Sequence, residues 1–127
     1  DVSDYARQTK EEAEFEKNWF SSTIDDLKKA LIGFDFIEIY KGWIPDRFPE
    51  VESKKFAFVH VDVDLYQPTL DSLKFFYPRL LPGGVIVVDD YGYSVFPGAK
   101  RAVDEFLRGT DCSVFYETPM GSCFIIK

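Results

Sequence analysis

A chain of 127 residues with 46% hydrophobic and 17% aromatic residues can bury one real core, which excludes a disordered or low-complexity segment. A formal net charge of −7, with no Lys/Arg cluster to override it, argues against a nucleic-acid backbone or an anionic membrane surface as partner. The apolar runs are too short to cross a bilayer, the charged start DVSDYARQTKEEAEFEK is no signal peptide, and Cys112 and Cys123 fit reduced thiols, so a cytoplasmic protein is expected.

The chain is expected to form a single domain over 1–127, opening with a polar lead-in over 1–19. SSTIDDLKKAL predicts a helix: Ser or Thr caps it, acids fill its first turn and lysines its last, and Ile24, Leu27 and Leu31 share a face. Gly33 stops it. FDFIEIYKG alternates as a strand centred on Phe36 to Tyr40, and WIPDRFPEVESKK follows as a loop with room for one helical turn.

KFAFVHVD predicts a second strand. In QPTLDSLKFFYPRL a proline stands at a helix start, ahead of the stripe Leu70, Leu73 and Phe76 or Tyr77. LPGG reads as a turn, and VIVVDD as a strand so apolar that it suits a sheet covered on both faces. GAKRAVDEFLRG predicts a helix packing through Ala102, Val103, Phe106 and Leu107. CSVFYET and SCFIIK, joined by PMG, predict a closing hairpin. This alternation predicts an α/β fold with a largely parallel sheet and an antiparallel C-terminal hairpin.

Two of these apolar strands end in acids: Asp62 and Asp64 after FVHV, Asp89 and Asp90 after VIVV. Parallel strands joined by a helix bring both pairs to one sheet edge, where ligands of open α/β folds bind. Clustered carboxylates repel unless a cation or hydrogen-bond donors satisfy them, and an all-oxygen set of two or three acids suits Mg²⁺. The alternative is turn and capping chemistry, to which Asp64, just ahead of LYQPT, is the most exposed. His60, the single histidine, lies within a strand on the same face as Phe58 and Asp62, as a sheet-face residue rather than a base. Trp43 is either a loop anchor or a flat platform for a planar ligand.

The runs YKGWIPDRFPE, FVHVDVDLYQPTLDSLKFFYPRLLPGGVIVVDDYG and GAKRAVDEFL resemble the macrocin O-methyltransferase family of class I S-adenosylmethionine-dependent methyltransferases, over roughly residues 20 to 127. The resemblance implies a Rossmann-like methyltransferase fold and methyl transfer to a hydroxyl of a sugar or other secondary metabolite, with S-adenosylmethionine and Mg²⁺ as cofactors. It implies Asp62, Asp89 and Asp90 as metal ligands, with Asp62 essential to catalysis, and Gly42 and Trp43 in the loop near the adenine of the cofactor. The related catechol O-methyltransferases place a lysine base three residues beyond the first acid. Here that position is Leu65, so the base does not carry over.

The family's first two strands, with the glycine-rich cofactor loop and the ribose-binding acid, are expected to precede residue 1. This chain alone is therefore expected to bind S-adenosylmethionine poorly, and to leave a sheet edge open to self-association as a homo-oligomer. Two other readings remain at this point. A metal-dependent glycosyltransferase would use Asp62 and Asp64 as its DxD acids, and a non-catalytic remnant would keep only the fold, as an interaction module.

Overall fold

The computed structural model of the chain describes residues 23–127. The polar lead-in expected over 1–19 lies outside the described residues. The first helix, α1 (Ile24–Ala30), starts where the sequence placed its signals: Thr23 Oγ1 accepts from Asp26 N at 3.2 Å, and Asp25 and Asp26 face the helix N-terminus while Lys28 and Lys29 face its end. Its apolar face, however, buries no residue.

The strand expected at Phe36–Tyr40 does not form. The segment is without ladder partners, Phe36 is 82% exposed, and Glu38 accepts hydrogen bonds from Tyr40 Oη and Lys54 Nζ instead. Alternating side chains make a strand only when a neighbour takes up the backbone groups, and none is present here among the described residues.

The sheet is built from β1 (Phe56–Val61), β2 (Leu80–Val88), β3 (Val114–Glu117) and β4 (Cys123–Ile126), in the order β1-β2-β4-β3. β1 and β2 are parallel, and β4 is antiparallel to both β2 and β3, so the closing hairpin forms as expected in a mixed sheet. Helix α2 (Tyr66–Phe76) makes the crossover from β1 to β2, and α3 (Pro97–Arg108) leads from β2 to the hairpin.

Both helices cover one face. Leu70 and Leu73 of α2, and Ala102, Val103 and Phe106 of α3, join Val59, Val61, Ile86, Val88, Cys123 and Ile125 in the core. Period-2 alternation turns Phe58 and His60 of β1 to the other side, where Phe58 is 59% exposed. Coverage of both sheet faces, expected from VIVV, is thus not seen at β1 among the described residues. A single 3₁₀ turn, Phe48–Val51, appears in the loop as anticipated, and Phe48 stacks on Phe75 with ring centroids 4.3 Å apart. Both cysteines are free, and among the described residues no helix is long and apolar enough to cross a membrane.

LPGG is not a turn between elements but an irregularity inside β2. The pairing jumps from Phe56↔Leu80 to Phe58↔Val85, so the extra β2 residues bulge out of the ladder. Gly84 is wedged at that point: a Cβ on it would lie 2.9 Å from Leu81 O and 3.2 Å from Phe56 O, both backbone atoms. Gly84→Ala should therefore destabilise the fold by about 1–3 kcal/mol in chemical denaturation. An unchanged midpoint would show that the bulge yields freely.

Candidate functional site

Strand register makes the site. The β1–β2 ladder ends at Val61↔Val88, and Asp89 N extends it by donating to Val61 O at 3.0 Å. Asp62 and Asp89 therefore leave the sheet side by side, because both parallel strands stop at the same level. Asp90 follows and turns into the protein, with 8% of its surface exposed. One oxygen from each of Asp62, Asp89 and Asp90 lies within 4.8 Å of the others.

The chain after Asp90 is tightly held. Tyr91 is buried, its Oη donates to Asp104 Oδ1 at 2.8 Å, and the ammonium of Lys100 sits 3.8 Å from the centre of its ring. Gly92 N donates to Gly121 O at 2.6 Å, which seats the β3–β4 turn against the exit of β2.

Asp64 has a φ of 55°, a left-handed conformation uncommon outside glycine, asparagine and aspartate. Its carboxyl acts on that of Asp90 and raises the Asp90 pKa, and α2 starts from Leu65, a cap residue without a side-chain bond. His60 stands on the open face as expected, yet close to the acids: its Nε2 is 3.7 Å from Asp89 Oδ1.

The electrostatics follow from this crowding. Burial raises the pKa of Asp62 above the ordinary carboxylate value, and the charges of Asp89 and Asp64 raise it further. Asp90 is pushed up to about 8, first by burial, then by the hydrogen bond with Asp64 and by the negative charges of Asp64, Asp62 and Asp89. Among the groups that act on Asp62 and Asp90, only His60 opposes the rise, and only at Asp62. An oxygen-only donor set at converging positions fits a hard divalent cation of the Mg²⁺ type, better than a thiophilic metal.

Gly42 and Trp43 lie elsewhere, on the segment that follows the unformed strand. Arg47 N donates to Trp43 O at 3.3 Å, and the Arg47 side chain packs where a Cβ on Gly42 would stand. Gly42 borders a cavity of about 530 Å³ shared with Tyr40 and with Leu27 of α1, while the Trp43 ring is 81% exposed. The structure thus brings the three aspartates together and leaves these two residues on a separate surface.

One polar neighbour of the cluster escaped sequence reasoning. Ser122 Oγ donates to Asp89 Oδ1 at 3.0 Å across 33 residues of sequence. Only the pairing of β4 with β2 creates that contact, and no local spacing announces it.

The Macrocin-O-methyltransferase (TylF) family matches residues 26–114. Mycinamicin III 3''-O-methyltransferase of Micromonospora griseorubida is 36% identical over 72 residues, covering 57% of this chain and 27% of the relative. The 8-demethyl-8-(2,3-dimethoxy-alpha-L-rhamnosyl)-tetracenomycin-C 4'-O-methyltransferase of Streptomyces olivaceus is 39% identical over 57 residues, covering 45% and 22%. The solved O-methyltransferase NovP superposes with a TM-score of 0.70 at 25% identity, over 83% of this chain and 45% of NovP. The chain therefore spans about a quarter of the length of these curated relatives and under half of NovP. The match runs through both acid-tipped strands, which removes the glycosyltransferase reading of Asp62 and Asp64. This chain belongs to the macrocin O-methyltransferase family.

Proposed function

We propose that the chain is the C-terminal part of an S-adenosylmethionine-dependent, Mg²⁺-assisted O-methyltransferase acting on a hydroxyl of a sugar or other small metabolite. The observation that carries this reading is the common end point of β1 and β2, which sets Asp62, Asp89 and Asp90 within reach of one ion. Family membership supports methyl transfer, and a rhamnosyl group in the name of one relative supports a sugar-linked acceptor.

Asp62, Asp89 and Asp90 would hold the cation, and Gly42 and Trp43 would lie toward the adenine of the methyl donor. A divalent ion bound there supplies the charge that acidifies and orients an acceptor hydroxyl, and S-adenosylmethionine supplies the methyl group as a sulfonium. The protein's own part is positional. The paired strand ends fix Asp62 and Asp89, and buried Tyr91 fixes the turn that carries Asp90. Burial and the neighbouring acids push the Asp90 carboxyl up to about 8, so a cation bound there would compete with its proton.

The test uses the intact protein. Saturating Mg²⁺ or Mn²⁺ should raise its melting temperature by about 5 °C or more, and Asp89→Asn combined with Asp90→Asn should abolish the rise. Radiolabelled methyl transfer from S-adenosylmethionine to glycosylated acceptors should stop with a chelator and return with Mg²⁺. A metal response unchanged in the double variant would remove these residues from the site.

A further inference from the structure

We infer that Ser122 is a positioning residue for this centre: its hydroxyl holds Asp89 in the orientation that faces Asp62 and Asp90. The inference rests on the proposed metal centre and extends it to the C-terminal hairpin. Asp89 is half-exposed at the end of a strand, where its carboxylate is otherwise able to change rotamer, and the Ser122 bond to Oδ1 at 3.0 Å removes that freedom.

The serine can do this because its own backbone is pinned. Ser122 N donates to Thr118 Oγ1 at 3.2 Å, and Thr118 N donates to Ser122 O at 2.8 Å, closing the turn between β3 and β4. The next residue, Cys123, pairs with Val88, the last residue of β2 before Asp89. On the other side Gly92 and Gly121 touch: a Cβ on Gly92 would lie 3.0 Å from Gly121 Cα, so the turn is seated without slack. Donor and acceptor thus hang from two adjacent strands that end together. Donors behind a carboxylate ligand tune affinity by orienting it, typically by 10–100-fold.

The experiment measures Mn²⁺ binding to the intact protein by the electron paramagnetic resonance of the free ion, alongside the melting temperature without metal. Ser122→Ala should weaken Mn²⁺ binding about tenfold, Ser122→Thr should restore it to within about threefold, and Asp89→Asn should remove most of it. The metal-free melting temperature of Ser122→Ala should stay within about 2 °C of wild type, because its backbone bonds to Thr118 do not need the hydroxyl. Undiminished binding in Ser122→Ala, with Asp89→Asn defective, would overturn the role of Ser122 and leave the metal centre standing. Wild type without Mn²⁺ binding, or Asp89→Asn binding normally, would remove the centre and this inference with it. A large loss of stability in Ser122→Ala, with affinity not restored by threonine, would mark the serine as fold support and overturn the inference too.

Discussion

Asp62→Ala should cut the turnover of the intact enzyme by at least about a hundredfold, while His60→Gln should change it by less than about tenfold. His60 lies in β1, Asp62 directly follows that strand, and both are near Asp89, so the contrast isolates role from location. Asp62 contributes one of the three convergent oxygens. Without it, a cation held as proposed would lose a charged ligand, and losing an acidifying, orienting cation would cost several kcal/mol of barrier at about 1.4 kcal/mol per tenfold. His60 is half-exposed on the open sheet face, and its Nε2 is beyond hydrogen-bond distance from Asp89 Oδ1 at 3.7 Å. Circular dichroism should show both variants folded. Were His60→Gln the inactive one, with metal affinity intact, His60 would be the base and its assignment to the sheet face would be wrong.

The second large effect is on stability. Asp90 is raised from 3.8 to about 8, so the native state keeps a proton that the unfolded chain releases above pH 4. The stabilising contribution of that proton is complete below about pH 4 and is lost as pH rises through about 8. In chelator, the melting temperature of wild type should therefore fall across this range more steeply than that of Asp90→Asn, whose amide is neutral throughout. Near pH 8.5 the variant should melt about 5 °C or more above wild type. Saturating Mg²⁺ should flatten the wild-type slope, because it favours the ionised carboxyl. Parallel slopes for the two proteins in chelator would show that Asp90 is not the group responsible.

How far the sequence could be read depended on whether an element's partners lay within its own pattern. Two apolar runs tipped with acids, joined by a helix-length segment, forecast the β1–β2 exit, because parallel pairing alone brings their ends together. FDFIEIYKG carried an equally clear alternation, yet Phe36 to Tyr40 stayed out of the sheet, with no neighbouring strand among the described residues. Periodicity reports which face a residue takes, not whether a ladder exists. LPGG was recognisable as a backbone irregularity, but its place inside β2 depended on the Gly84 contacts to Leu81 and Phe56. Asp64 could have been a cap or a ligand by sequence, and its left-handed backbone turned it to a third use, beside Asp90. Ser122 lay beyond local reading because its contact is made by tertiary pairing.

The acids also bear on solubility. β1 is the end strand of the sheet among the described residues, and FAFVHV combines strong β-propensity with no formal charge when His60 is neutral. Lys54 and Lys55 precede it and Asp62 and Asp64 follow it, so opposite charges bracket the strand as gatekeepers against cross-β stacking. Neutralising Asp62 to probe chemistry thus strips one gatekeeper from the segment that most needs it. Rates for such variants belong on the fraction that elutes with wild type in gel filtration, since chain lost to aggregates would otherwise be counted as lost catalysis.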